Sequence, residues 1–216
     1  MEPTSDVARL RKEYLLHGLR RHELDPDPVI QFRRWLEEAL ATAGTMEGNA
    51  MTVATATPDG APSARVVLLK GFSKDGFVFY TNYESRKGRQ LSANPRAALN
   101  FYWPWLERQV QVEGTASQLG RDASANYFNS RPLGSRFGAL ASRQSEAVAS
   151  RLHLERQLTE ARLTYRDRPP LPDYWGGYLV RPIRFEFWQG RENRLHDRFL
   201  YLPAEGSGWH ITRLSP

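Results

Sequence analysis

The feature that most constrains this chain is a change of hydrophobic period between residues 44 and 50. Before it, apolar residues recur at helical spacing. After it, short β-branched runs appear, punctuated by Asp-Gly pairs. Asp27-Pro28 sets a capping residue ahead of a proline suited to the first helical position. Phe32, Trp35, Leu36, Ala39 and Leu40 then repeat at three- and four-residue steps, so a helix is expected over 29–40, ending at Gly44. Residues 50–57, 63–70 and 77–82 read as strands, separated by the turns Asp59-Gly60 and Asp75-Gly76. Their short connections predict an antiparallel meander.

The remaining punctuation completes the order. A short polar helix is expected over 6–17, ahead of the loop that carries Arg20-Arg21. A helix over 84–93 is capped by Asn82 or Ser85 and closed by Asn94-Pro95. Strands follow at 96–103 and 106–119, broken at Pro104. A helix over 121–130 must stop before Pro132, because the residue preceding proline avoids the helical region. Gly134 and Gly138 are expected to break the next stretch. Gln144-Ser145 should start a long amphipathic helix over 146–165, with Val148, Leu152, Leu158 and Leu163. Beyond the Arg168–Pro172 connector, strands are expected at 178–188, 194–202 and 209–214. This is mainly antiparallel β with peripheral helices (α+β), and a barrel rather than a doubly wound sheet. Its 216 residues suit one domain, 1–216, with an N-terminal helical segment at about 5–44.

Composition excludes several chemistries. With no cysteine there is no disulfide, thiol nucleophile or cysteine metal site. The five histidines show no paired ligand spacing, so no metal is expected. No Gly-x-Ser-x-Gly marks a serine hydrolase. No stretch approaches the ~20 apolar residues of a membrane span, and no basic-then-apolar leader opens the chain, so a cytoplasmic protein is expected. The net charge of +6 rests almost wholly on arginine, since lysine occurs only at 12, 70, 74 and 87. Arginine offers planar paired donors suited to phosphate. The charges are dispersed among acids, without a basic run, so a small phosphorylated ligand fits as well as nucleic acid.

Several clusters follow that chemistry. Arg65 and Lys70 flank the apolar run 66–69, and they serve one pocket only if the strand bends near Gly71. Tyr80-Thr81 and then Ser85-Arg86-Lys87 fall where a strand ends and a helix begins, a place where free N–H groups favour an anion. Gln109 and Gln111 share one strand face and can hydrogen-bond a flat heterocycle or simply face solvent. Tyr127 and Arg131 are four apart at a helix end, with Ser135 just beyond, which suits a second phosphate. In 188–201, strand alternation sets Arg194, His196 and Arg198 on one face. The other face then holds Leu195, Phe199 and Tyr201, with Asp197 as the exception.

The motifs Arg65-Val-Val-Leu-Leu-Lys70, Phe79-Tyr-Thr-Asn82, Ser85-Arg-Lys87, Leu106-Glu-Arg-Gln-Val110, Tyr127-Phe-x-Ser-Arg-Pro132, Gln144-Ser145, Tyr174-Trp-Gly-Gly177, Glu186-Phe-Trp-Gln-Gly190 and Arg194-Leu-His-Asp-Arg198 lie in this order. Together they resemble the pyridoxine (pyridoxamine) 5′-phosphate oxidase family, over about 9–216. One departure is Arg11-Lys12-Glu13-Tyr14, where the family has two arginines before Glu-Tyr. The resemblance implies a homodimeric FMN-binding split barrel with the cofactor at the subunit interface. It implies FMN contacts from Arg65, Lys70, Tyr80, Thr81, Arg86, Lys87, Gln109, Gln144, Ser145, Trp188 and Arg198. Lys70, Tyr127, Arg131 and Ser135 would hold the substrate phosphate. Arg194 and His196, as the catalytic pair, would cover the substrate ring, with the Arg11–Tyr14 segment closing over it. The implied reaction oxidises pyridoxine or pyridoxamine 5′-phosphate to pyridoxal 5′-phosphate, with O₂ reduced to H₂O₂. A related flavin oxidase acting on another ring, such as a phenazine precursor, is the first alternative. A non-enzymatic flavin- or nucleic-acid-binding module is the second. Neither nucleic acid nor membrane is expected as a partner. Arg20-Arg21 lies outside these motifs and is a candidate further anion site for phosphorylated product.

Overall fold

The computed structural model describes residues 13–16 and 18–216. Of the expected N-terminal helix, residues 6–12 and 17 lie outside the described residues, and 13–16 are irregular. In chain order the elements are α1 (Pro28–Thr42), β1 (Ala50–Ala56), β2 (Pro62–Leu68), β3 (Gly71–Ser73), β4 (Gly76–Asn82), α2 (Arg86–Ala93), β5 (Arg96–Trp103) and β6 (Arg108–Gln118). They continue with α3 (Arg121–Ser130), α4 (Leu133–Ala141), α5 (Arg151–Tyr165), β7 (Trp175–Gln189), β8 (Asp197–Pro203) and β9 (Trp209–Leu214). The strands hydrogen-bond in the order β2-β1-β5-β6-β7-β4-β3, and β8 joins β7 and β9. The residues divide into two compact units of interleaved segments, one comprising 49–99 and 113–183, the other the remainder.

In the first unit, β1 and β2 form an antiparallel hairpin running from Ala50↔Leu68 to Ala56↔Pro62. Gly60 and Gly76 take the positive φ values, 92° and 144°, that the two Asp-Gly turns require. The meander, however, does not form. The Leu69 N–H donates to Asn49 O at 2.9 Å, and the next N–H, of Lys70, donates to Val78 O at 2.8 Å. The chain thus changes partner between consecutive residues, and β3 pairs with β4 as a separate hairpin. Leu69 is buried while Lys70 is exposed, so the switch sends the leucine to the core and leaves the cation outside it. β4 then pairs with β7, Phe77↔Val180 to Asn82↔Trp175.

Two helical expectations change. Gly134 and Gly138 do not break the chain, since both lie inside α4. Each glycine costs about 1 kcal/mol in a helix. Buried Phe137 and Ala141 anchor the element against that cost. Gln144-Ser145 does not start the long helix either. The cap of α5 is Ser150, whose hydroxyl accepts from the His153 N–H at 3.1 Å. The helix is less amphipathic than its spacing suggests, for only Ala161 is buried, while Leu152 and Leu163 are exposed.

In the second unit, Asp27 caps α1 by accepting from the Val29 N–H at 2.8 Å. Phe32, Trp35, Leu36 and Ala39 form the buried stripe. Phe32 packs on Phe101 (ring centroids 4.8 Å apart) and Trp35 on Phe187 (5.3 Å). Rings of this size dominate the energy of a core. β8 begins at Asp197, three residues later than expected. Residues 192–194 form a tight turn instead, in which Asn193 and Arg194 take left-handed φ values of 54° and 64°. Arg194 and Arg198 therefore do not share a strand face. Phe199 and Tyr201 are buried as expected, but Leu195 is 70% exposed.

Candidate functional site

The first unit contains a cavity of about 980 Å³. It is lined by Arg65, Lys70, Tyr80, Thr81, Arg86, Lys87, Tyr127, Arg131, Ser135, Gln144 and Ser145, together with Trp175. The partner switch at Leu69–Lys70 supplies the bend that brings Arg65 and Lys70 to one pocket. Five cations line it, and among the described residues no carboxylate does.

Two of these cations, Lys87 and Arg65, are held by local hydrogen bonds. Ser85 caps α2 and accepts from the Gly88 N–H at 3.3 Å, which sets Lys87 in the first turn. Lys87 is buried. Its Nζ donates to Thr81 Oγ1 (2.8 Å), Gln144 Oε1 (2.7 Å) and Ser85 Oγ (3.3 Å). Burial, with neighbouring Arg65 adding to it, pushes this amine down to about 8. Arg65 Nη1 donates to Thr55 Oγ1 at 2.7 Å and to Val53 O at 3.1 Å, and Nη2 donates to Ser63 Oγ. Burial and then Arg86 lower its pKa. These are cations packed against cations in partial desolvation, a state that an anion relieves.

Beside them lies an aromatic stack. Tyr80 and Tyr127 are parallel with centroids 3.8 Å apart, and Trp175 stacks 5.5 Å from Tyr80. The Arg131 guanidinium lies 4.7 Å from the Trp175 ring centre. Its Nη1 is buried without a hydrogen-bond partner among the described residues. Burial lowers the pKa of Arg131 as well. Ser145 holds a left-handed φ of 74° in the loop that carries Gln144.

Other expected residues lie in the second unit. Tyr14 sets its ring edge-on to Trp188 and His196, each at 5.5 Å, and Trp188 lies 4.7 Å from His196. Gly190 makes room for Tyr14, for a Cβ there would sit 2.7 Å from its ring. The segment is tied down where the Leu16 N–H donates to Glu107 Oε2 (3.1 Å) and the Leu19 N–H to Asp197 Oδ2 (2.9 Å). His196 Nδ1 accepts from the Arg191 N–H at 3.1 Å. Burial and then Arg194 lower the His196 pKa. Arg198 Nε donates to buried Glu186 Oε1 at 2.8 Å, and Arg198 Nη1 to Ser215 O at 2.9 Å. Gln109 and Gln111 lie half-buried on β6, and neither lines the cavity. Arg194 is exposed. Arg11 lies outside the described residues.

Sequence reasoning assigned no role to Trp175, although it sits in the quoted Tyr-Trp-Gly-Gly motif. It also passed over Ser63 and Gln90. Only the alternation of β2, which sets Ser63 and Arg65 on one face, was available as a signal.

The fold and the cavity define an antiparallel split-barrel protein with a cationic, aromatic-walled anion site. Residues 36–165 match the family model described as pyridoxamine 5′-phosphate oxidase. Residues 175–216 match the pyridoxine 5′-phosphate oxidase C-terminal dimerisation region. A pyridoxine/pyridoxamine 5′-phosphate oxidase of Rubrobacter xylanophilus is 61% identical, covering 98% of this chain and 97% of that one. Its counterpart in Cupriavidus taiwanensis is 54% identical, covering 98% and 100%. Among solved structures, PhzG from Burkholderia lata, in complex with tetrahydrophenazine-1-carboxylic acid, superposes with a TM-score of 0.86 at 29% identity. That match covers 95% of this chain and 100% of PhzG. The chain belongs to the pyridoxine/pyridoxamine 5′-phosphate oxidase family of oxidoreductases. Among the described residues no helix is long and apolar enough to cross a membrane, and no cluster of His, Asp and Glu is arranged to hold a metal.

Proposed function

We propose that this chain oxidises pyridoxine 5′-phosphate or pyridoxamine 5′-phosphate to pyridoxal 5′-phosphate, using FMN and reducing O₂ to H₂O₂. The observation that carries the reading is the cavity lined by five cations and no carboxylate, beside a Tyr80–Tyr127–Trp175 stack. It occurs in a chain 61% identical to a relative that bears this activity in its name. The residues present fit a flavin phosphate, since buried Lys87 and half-buried Arg65 meet only neutral partners in the hydrogen bonds described above. Under this reading Arg65, Arg86 and Lys87 take the dianion, with Thr81, Gln144 and Ser145 completing its shell. Bound FMN would supply the two-electron acceptor that oxidises the substrate at C4′ and passes the electrons to O₂.

Lys70, Tyr127, Arg131 and Ser135 take the substrate phosphate. The unpartnered Arg131 Nη1 is the clearest donor for it. The same reading gives Trp188 and Arg198, with Gln109, to the flavin. Tyr14, Arg194 and His196 go to the substrate ring, joined by Arg11. Arginine stays protonated at neutral pH, so Arg194 orients the ring and stabilises charge and does not abstract a proton. His196, whose Nδ1 accepts from the Arg191 N–H, is left with Nε2 to meet the ring. We also propose a homodimer with the cofactor at the interface, supported by the dimerisation-region match over 175–216.

The PhzG likeness favours one second reading, oxidation of an unphosphorylated ring carboxylate. The two part at a single experiment. The purified chain should show flavin absorbance that bleaches on anaerobic addition of pyridoxine 5′-phosphate and returns with O₂ as peroxide forms. Unphosphorylated pyridoxine should leave it unbleached. A colourless protein, or flavin indifferent to the phosphorylated vitamer, would overturn the proposal.

A further inference from the structure

We propose that Gln90 is a positioning residue for Arg65, acting through the hydroxyls of Thr55 and Ser63. The inference rests on the reading of the cavity as a flavin-phosphate site. Gln90 is 5% exposed. Its Oε1 accepts from Thr55 Oγ1 and from Ser63 Oγ, each at 2.6 Å. The same two oxygens accept from the Arg65 guanidinium, Thr55 from Nη1 at 2.7 Å and Ser63 from Nη2. A guanidinium can only donate, and a hydroxyl has one proton to give. The two bonds from Arg65 can therefore run only one way. Arg65 donates to two hydroxyls, and both hydroxyls donate to one amide oxygen. With Oε1 turned toward them, both hydroxyl protons have an acceptor. The cost of the observed orientation is visible, for Gln90 Nε2 is buried without a partner.

The elements converge because Thr55 and Ser63 are register partners on β1 and β2. Ser63 and Arg65, two apart, share a face of β2. Gln90 lies one helical turn after Lys87 on the buried side of α2. One short helix thus places both cations, Lys87 directly and Arg65 through the relay. With two Nη atoms held from behind, the guanidinium presents its remaining donors in one orientation, and little freedom is left to lose when a phosphate arrives.

The test uses the full-length chain, freed of flavin by dialysis and titrated with FMN and with riboflavin, which lacks the phosphate. Gln90→Leu should weaken FMN binding about tenfold, equivalent to about 1.4 kcal/mol, and leave riboflavin binding unchanged. In an Arg65→Ala background the same substitution should weaken FMN no further, because it acts through the group already removed. Equal loss for both flavins would make Gln90 a structural residue and overturn the proposal. Should Gln90→Leu not fold, Gln90→Met reads the same relay. A FMN-selective loss there upholds it, and unchanged FMN affinity overturns it. The underlying reading fails separately. Full FMN affinity in Arg65→Ala would sink the phosphate assignment, whereas a weakened Arg65→Ala beside an unaffected Gln90→Leu would sink the relay alone.

Discussion

At the scale of single residues, Lys87 ties the cavity to pH. Its amine falls from an ordinary 10.5 to about 8, so folding disfavours the charged form. Below about 8 the flavin-free protein carries the cost of a buried cation. That cost is relieved as pH rises toward 10.5, so the flavin-free fold gains stability over this window. Anion affinity runs the other way, present below about 8 and lost as pH rises through it. FMN binding followed by flavin fluorescence should weaken across that step. Lys87→Ala should weaken it about ten- to a hundredfold at pH 7, the loss of a charged hydrogen bond, and should flatten the step. Lys74→Ala, in the exposed turn, should do neither. Arg194 and His196 make a second pair of expectations. Arg194→Ala should lower kcat/KM more than about tenfold, or over ~1.4 kcal/mol, with normal flavin content, and His196→Ala should be milder. Wild-type kcat/KM in Arg194→Ala would take this turn out of the active site.

At the scale of elements, α2 is fixed by its third residue. A Cβ on Gly88 would meet the Tyr83 carbonyl oxygen at 2.0 Å, a backbone atom with nowhere to move. Gly88→Ala should therefore cost about 1–3 kcal/mol, read as a lower denaturation midpoint, and should weaken FMN binding by shifting Lys87 and Gln90 together. An unchanged midpoint would mean that the helix is not pinned there. The same scale shows what was legible beforehand. α1, β5, α3 and β9 fall close to the expected limits, and local chemistry marks three of them, with Asp27-Pro28, Asn94-Pro95 and Pro132. The partner switch at Leu69–Lys70 was hidden because strand pairing is non-local and two Asp-Gly turns fit a meander equally well. α4 was hidden because the helix penalty of Gly134 and Gly138 is visible locally, while the burial of Phe137 is not. The left-handed turn at Asn193–Arg194 breaks an alternation that read as continuous strand. Within the site, the cations were legible as charges flanking apolar runs and at helix ends. Gln90 and Trp175 were not, since their surroundings come from distant segments.

At the scale of the whole molecule, the C-terminal match to a dimerisation region and the exposed Leu195 and Leu202 lead to an expected assembly state. The chain should sediment as a homodimer, and its melting temperature should rise with FMN concentration, because a ligand bound only to the assembled form stabilises it by mass action. A monomer in saturating FMN would refute this. The interleaving of the two compact units was not legible, for β5, β6 and β7 each carry residues of both, and no composition shift marks where one unit gives way to the other.

The change of partner between Leu69 and Lys70 also sets an order of events during folding. The hairpins on either side of it, β1–β2 and β3–β4, close over short loops, and such contacts form in microseconds. β4, however, finds its other neighbour only in β7, about a hundred residues later, where Phe77 meets Val180. Closing so long a loop is slow. Tyr80 and Thr81 lie on β4, opposite Gly177 and Gly176, so the cavity wall they form is completed by that late pairing. A chain emerging from the ribosome would carry Arg65 and Lys70 on or beside these hairpins well before it had a pocket to put them in. Cofactor capture should accordingly be the last kinetic phase in refolding experiments, appearing in flavin fluorescence only after the β-sheet signal in circular dichroism has reached its plateau.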